Sequence, residues 1–339
     1  MAENKAAWID SPSGYPLNIR EAPKATAGPG EIVIKNTAVS IIGRSSKLAG
    51  HPSTRRSPSN ELMQLGSMGD TCQCIPSFWG KTWLDLSRKL EQASLASRKA
   101  TESLLVIDTL VSPIPDSMAF EEAVVLPLAI STACAGLYAK DLLDLPLPSV
   151  KKPASNGKTI LIWGGASSVG ATAIQLAAAS GVTVVTTASP ANYEFVKSLG
   201  ASAAFDYKSS TVVEDIAKAL KEAEFIGVYD AIGADSSFDA VSDILDRLDK
   251  SVPVASVLPS SKSTERFKPT YIVAFAIVQG PNQHVGEWIW KTFIPEALEN
   301  GSFQAKPDPS VSGHGLDDVQ SAMDLQRKGV SAKKIVVSL

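Results

Sequence analysis

Read for the spacing of its apolar residues, the chain falls into three zones. From Glu31 to Val39, EIVIKNTAV, apolar positions mostly alternate, which is the period of a half-buried strand, and Gly28-Pro29-Gly30 ahead of it marks a turn. From Leu104 to Leu339, short apolar runs such as Thr159 to Trp163, Thr183 to Thr187 and Gly227 to Ala231 alternate with helical stretches, as in a parallel α/β sheet. The zone between them, Arg44 to Ser103, holds eleven Ser, one Ile (Ile75), no Val and no Tyr, with nine Lys and Arg against five Asp and Glu. That composition disfavours strands. Within it, Trp83, Leu84, Leu86, Leu90 and Leu95 predict an amphipathic helix between Gly80 and Ala100. Arg44 to Gly69 shows no sustained period and is expected to be loose or disordered. No internal repeat of fixed period occurs.

Composition narrows the class. A length of 339 residues favours two domains or one large one. The net charge of -3, from 32 Lys and Arg against 35 Asp and Glu, argues against a nucleic-acid partner, which would require a basic stripe. The longest apolar run, Tyr271 to Val278, falls far short of the roughly 20 residues that span a bilayer, so no membrane partner is expected. Glu3, Lys5 and Asp10 interrupt any secretory apolar run, which predicts a cytoplasmic location. Three cysteines exclude a disulfide framework. Cys72 and Cys74 are one residue apart, Cys134 stands alone, and His51, His284 and His314 are scattered, so no metal site is expected. Cys134, beside Thr132, Ala133 and Ala135, reads as a small core residue rather than a nucleophile. No G-x-S-x-G elbow seeds a hydrolytic triad.

The densest signal is Lys158 to Gly181, KTILIWGGASSVGATAIQLAAASG. It predicts a buried strand over Thr159 to Trp163, a tight turn over Gly164 to Gly170, and a helix over Ala171 to Ser180 that Gly181 ends. Small residues let the backbone approach a pyrophosphate, and the free N–H groups of the helix start favour its charge, with Ser167 and Ser168 adding hydroxyls. The spacing G-G-x-x-x-x-G departs from G-x-G-x-x-G, and a plain strand–turn–helix link is the alternative. The second strand ends in Ala188-Ser189-Pro190, where an NAD enzyme would carry an acid for the ribose. Small polar residues there, with Asn192 and Lys197 following, favour NADPH over NADH; Lys197 reads equally as a solvated helix charge. Asp230-Ala231-Ile232-Gly233 ends a further strand with small residues suited either to the dinucleotide crevice or to packing. Tyr193 and Lys197 match Y-x-x-x-K, one helical turn apart. Their place only 23 residues after Gly170 sets them beside the adenosine end rather than the chemistry.

These residues resemble the medium-chain dehydrogenase/reductases of the zinc-independent kind, in the branch of quinone oxidoreductases and fungal trans-acting enoyl reductases. The matching runs are Gly28 to Val39, Leu110 to Tyr138 (LVSPIPDSMAFEEAVVLPLAISTACAGLY), the glycine loop, SPANYEFVKSLGA from Ser189, FDY at Phe205 and KGVSAKKIVV from Lys328. Together they cover most of the chain. The resemblance implies a Rossmann doubly wound parallel sheet over residues 126–280, and a GroES-like β-rich domain from 1–125 and 281–339. It implies an NADPH-dependent oxidoreductase passing hydride to an activated C=C (enoyl or enone) or a quinone, on a small-molecule or carrier-bound enoyl thioester, in secondary metabolism. By resemblance Ser167, Ser168, Val169 and Gly170 hold the pyrophosphate, and Ser189, Pro190, Ala191 and Asn192 surround the 2'-phosphate. Tyr207 lies near the adenosine, Val257 and Leu258 near the nicotinamide, and Val330 and Ser331 make a late cofactor contact. Leu126, Pro127, Thr132 and Ala133 line the substrate cleft, with Phe275, Ala276, Ile277, Val278 and Gln279 opposite. Arg44 to Ser103 departs from the family: Ile42-Gly43-Arg44-Ser45-Ser46-Lys47 stands where an N-P-x-D-x-K-like motif belongs, and the barrel's glycine elements are missing. The zone reads as a frame-shifted or unspliced translation that disrupts the GroES-like domain. It leaves a second function open, an NADPH-binding protein impaired in catalysis.

Overall fold

The computed structural model describes residues 5–8, 16–22, 32–42, 73–76, 100–101, 103–106, 108–151 and 153–339. The first part of the chain supplies β1 (Lys5–Trp8), β2 (Asn18–Glu21), β3 (Ile32–Lys35), β4 (Ala38–Ile42), β5 (Gln73–Pro76), β6 (Ala100–Thr101) and β7 (Ser103–Val106). β1 pairs antiparallel with β2 and β6, β3 with β7, and β4 with β5. The single strand expected over Glu31 to Val39 is thus two, in different sheets. Asn36 is buried and the Thr37 carbonyl accepts the Leu339 amide, so the chain passes there from one sheet to the next. The zone expected to lack strands contributes β5, which contains Ile75, as well as β6 and the start of β7. For β5, pairing with the β-branched residues of β4, AVSII, overrides that composition. The helix expected between Gly80 and Ala100, apart from Ala100, lies outside the described residues, as do Arg44 to Gly69, Lys47 and the turn Gly28 to Gly30. So does most of the zone read as a frame-shifted translation.

Six parallel strands form the central sheet: β8 (Lys158–Trp163), β9 (Thr183–Thr187), β10 (Ala201–Phe205), β11 (Glu224–Asp230), β12 (Val254–Ser256) and β13 (Pro269–Tyr271). Their order is β10-β9-β8-β11-β12-β13, the doubly wound Rossmann order, with the reversal between β8 and β11. β8 is apolar from Ile160 to Trp163 because both its faces are covered. Ile160 and Ile162 pack on the side of the helices Pro127–Tyr138 and Ser168–Ala179. Leu161 and Trp163 pack on the side of Val212–Leu220 and Asp235–Leu248. Full burial of such side chains stabilises the fold by about 1.5–3 kcal/mol each. The Tyr138 hydroxyl, bonded to the Leu176 carbonyl at 3.1 Å, fastens one helix to the other.

The strands β14 (Pro309–His314) and β15 (Lys334–Ser338) join β4 and β5 in a sheet ordered β14-β15-β4-β5. The helix Val319–Lys328 closes it, setting Val319, Ala322 and Met323 against Val39, Ile41, Ile335 and Val337. The fold is therefore the α/β Rossmann sheet with β-rich flanking sheets that the resemblance implied, and the last strand lies beside one of the first. Among the described residues, Phe120–Tyr138 has the length and apolarity to cross a membrane by composition, more than the run Tyr271 to Val278; its apolar window is 72% buried within the fold.

Candidate functional site

The loop after β8 is held by the end of β9. The Gly164 amide donates to Thr187 Oγ1 at 2.9 Å and the Gly165 amide to the Thr187 carbonyl at 2.9 Å. Each glycine answers a spatial demand: a Cβ at Gly165 would stand 2.2 Å from Thr186 Oγ1, and one at Gly170 would stand 2.2 Å from the Gly164 carbonyl oxygen. Gly164 also takes φ +84°, which L side chains rarely adopt. The helix begins at Ser168, three residues before the expected Ala171, because Ser167 caps it by accepting the Gly170 amide at 3.0 Å. Ser167 thus spends its oxygen on the fold, whereas the sequence suggested a donor to phosphate; among the described residues its hydroxyl hydrogen has no acceptor. The first-turn amides lack partners within the helix, and with Gly170 capped, Ser168 and Val169 carry its positive end.

A residue that pattern reading passed over faces that end. Lys334, the first residue of β15, is only 6% exposed, and its ammonium donates to Ser168 Oγ at 3.3 Å. Burial pushes its pKa from the ordinary 10.5 down to about 8, and among the described residues no carboxylate offsets this. A buried cation at a helix N-terminus can receive an anion. The signal was its place at the head of an otherwise apolar strand, KIVVS.

At the β9 corner, the Asn192 amide nitrogen donates to Ser189 Oγ and to Ser331 Oγ, both at 3.0 Å. This brings together the expected 2'-phosphate residues and the late contact, 139 residues away in sequence. Because both serine oxygens accept from Asn192, both hydroxyl hydrogens are free to donate to a common anion. Pro190 and Ala191 are exposed beside them. Lys197 turns to Glu194, at 3.2 Å on the same helix. Tyr193 is partly packed against the core, and burial, more than Asp206, pushes its hydroxyl pKa up.

The far end of the crevice is shaped by Asp230, buried at the end of β11. Its carboxylate accepts the Ile232 and Gly233 amides at 2.9 and 3.0 Å and the Ser237 hydroxyl at 2.7 Å. Desolvation raises its pKa, against the opposing pull of those three bonds. The turn so fixed carries Gly233 against Leu258, where a Cβ would meet Leu258 Cβ at 2.6 Å, and Ile232 against Gly164. The Val257 amide bonds the Asp230 carbonyl at 3.0 Å. Gly164, Ile232, Gly233, Val257 and Leu258 therefore meet at the carboxyl ends of β8, β11 and β12. Tyr207, Ile232, Phe275 and Val330 stay 38% to 45% exposed.

The expected substrate residues divide. The helix Pro127–Tyr138 packs on the short helix Ala274–Val278, so the two sets do meet. Leu126, Ala133 and Ile277 are wholly buried in the core, and Pro127 and Val278 are buried too, so they offer little or no surface to a ligand. Thr132, Phe275, Ala276 and Gln279 keep accessible surface. The Tyr229 hydroxyl bonds the Thr132 carbonyl at 3.0 Å, which fixes that turn. Cys134 is fully buried and its thiol pKa is pushed up by desolvation, as suits a core residue.

Residues 168–278 match the family model described as zinc-binding dehydrogenase. The chain is 42% identical over 253 residues to the trans-enoyl reductase himH of Aspergillus japonicus, covering 73% of this chain and 72% of that protein. It is 33% identical over 376 aligned positions to the dehydrogenase pigH of Monascus ruber, covering 100% of both. Among solved structures, the CurK enoyl reductase superposes with a TM-score of 0.65 at 18% identity, covering 99% of each chain. A mycobacterial protein complexed with NADPH superposes with a TM-score of 0.60 at 18% identity, covering 99% of this chain and 100% of that one.

Proposed function

The chain belongs to the zinc-binding dehydrogenase family, among fungal trans-enoyl reductases and dehydrogenases, and from that premise we propose an NADPH-dependent, zinc-independent reductase of an activated C=C bond or a quinone. Its role as an oxidoreductase follows from the family; cofactor, electron acceptor and metal independence are the proposal. The observation that carries it is the buried ammonium of Lys334 on Ser168 at the start of the helix after the Gly164–Gly170 loop, together with the two serines bridged by Asn192 after the neighbouring strand β9. A buried cation beside first-turn amides that have no partner within the helix suits a pyrophosphate.

When bound, NADPH supplies a hydride from its nicotinamide. The Ser168 and Val169 amides with Lys334 would hold the pyrophosphate, and Ser189, Asn192 and Ser331 the 2'-phosphate. Tyr207 and Val330 would cover the adenosine, with Pro190 and Ala191 beside it. Ile232, Val257 and Leu258 would seat the nicotinamide end. Thr132, Phe275, Ala276 and Gln279 would border the substrate, a small molecule or a carrier-bound enoyl thioester. In this reading residues 126–280 make the nucleotide-binding domain, and 1–125 with 281–339 the substrate domain. The protein's contribution is to hold donor and acceptor in line and to exclude water, which can supply several kcal/mol of the barrier.

The test is NADPH consumption by the purified chain with an enone, an enoyl thioester and a quinone side by side, and NADH in parallel. Oxidation with one of them, and tighter binding of NADPH than NADH, is expected. Equal binding of the two coenzymes would overturn the cofactor assignment. Saturable NADPH binding without oxidation would establish the impaired binding protein instead.

A further inference from the structure

The helix that opens at Ser168 carries one buried amide, and the contacts of that amide lead away from the crevice and back to it. Gln175 is 7% exposed. Its Nε2 donates to the Gln304 carbonyl at 3.1 Å, and its Oε1 accepts the Gln304 amide at 2.8 Å. This two-point pairing fixes the orientation of the side-chain amide, since a flip would set donor against donor. A weaker contact, 3.4 Å, runs from Nε2 to the Ala171 carbonyl.

From Gln304 the chain runs to Asp308, whose carboxylate accepts from Lys306 and Lys333 and whose carbonyl accepts the Lys334 amide at 2.9 Å. The next residue, Pro309, is the register partner of Lys334 in the parallel pair of β14 and β15. The contacts thus close a ring: Ser168, Gln175 two turns along the helix, Gln304, Asp308, Lys334, and Ser168 again. Inside a core, an apolar side chain of Gln175's size would fill the same space without having to satisfy a buried amide. What the amide adds is register between two segments 129 residues apart.

We propose that Gln175 is a positioning residue for the anion site, setting Lys334 against the first turn of the helix through its paired contact with Gln304. The inference rests on the reading of that site as the pyrophosphate's.

The experiment is a double-mutant cycle on the full chain, with the dissociation constant of NADPH read by its fluorescence and the melting temperature recorded for each variant. Gln175→Met removes both bonds at similar volume and is expected to weaken NADPH binding about tenfold. Lys334→Met is expected to weaken it at least as much, and the double variant to bind no worse than Lys334→Met alone, because Gln175 acts through that lysine. A lowered melting temperature with unchanged NADPH affinity in Gln175→Met overturns the proposal. So does a double variant whose loss is the product of the two single losses. Should Gln175→Met fail to fold, Gln175→Leu, which also removes both bonds and adds no charge, is read in the same cycle with the same two outcomes. If Lys334→Met binds NADPH as wild type does, the cofactor-site reading itself falls; if it weakens binding and the Gln175 variants do not, only the present inference does.

Discussion

In the proposed site, the pKa of Lys334 makes NADPH affinity a function of pH. Its ammonium, buried at the helix start, titrates near 8 in the free protein because burial penalises its charge. At pH 7 it is about nine-tenths protonated. A pyrophosphate within reach favours the charged form, so the bound state holds its proton to a higher pH. Between the free and bound pKa values, each pH unit costs up to about tenfold in affinity, so from pH 7 to 9.5 the dissociation constant for NADPH should rise about 30-fold. The coenzyme's own 2'-phosphate titrates near pH 6 and leaves this window clear. A charge-assisted bond contributes about 1.5–3 kcal/mol, so Lys334→Met should bind roughly 10- to 100-fold more weakly at pH 7. The variant's affinity should be flat with pH and approach that of wild type near pH 9.5. Fluorescence titrations at half-unit steps provide the measurement; a flat wild-type profile, or the same slope in Lys334→Met, refutes the reasoning. The free protein should show the opposite trend in stability. A lysine whose pKa is depressed on folding leaves the unfolded chain binding more protons above pH 8, so stability rises between pH 8 and about 10. Beyond that, Tyr138 and Tyr229, whose hydroxyl pKa values are pushed up chiefly by burial, reverse the slope.

Three further outcomes follow from the same geometry. Asn192→Leu removes the donor that orients the Ser189 and Ser331 hydroxyls, and should cost NADPH about tenfold in affinity while leaving NADH unchanged; equal losses for both coenzymes would remove Asn192 from the 2'-phosphate site. Gly165→Ala places a methyl 2.2 Å from Thr186 Oγ1 and should destabilise the fold by about 1–3 kcal/mol, measurable in urea; an unchanged midpoint would contradict the packing described. Asp230→Ala leaves the Ile232 and Gly233 amides without their acceptor and should cost about 2–3 kcal/mol, with weaker NADPH binding as the Ile232–Gly233 turn loosens; a wild-type melting curve would refute that role.

The parts legible in sequence were those whose chemistry is local. Strand, glycine loop and helix read directly from Thr159 to Ser180, because close approach demands small residues in a row, and the cap at Ser167 shifted only the helix start. The break between β3 and β4 was not legible, since it is imposed by partners: β3 pairs with β7 and β4 with β15. Lys334 escaped for a related reason, as a lysine ordinarily marks solvent and its contact to Ser168 spans 166 residues. Leu126, Ala133 and Ile277 show the limit for a cleft: apolar residues that line a cavity and apolar residues behind its wall have the same spacing, and only the fold separates them.

Gly165 and Gly170 are confined by Thr186 and by the loop's own backbone, so a descendant that no longer used any coenzyme would still be bound to keep them. Their presence in such a chain testifies to architecture, not to turnover. Lys334 is the opposite case, a charge the empty protein would be sounder without, and its survival in a lineage is the better witness that an anion still visits.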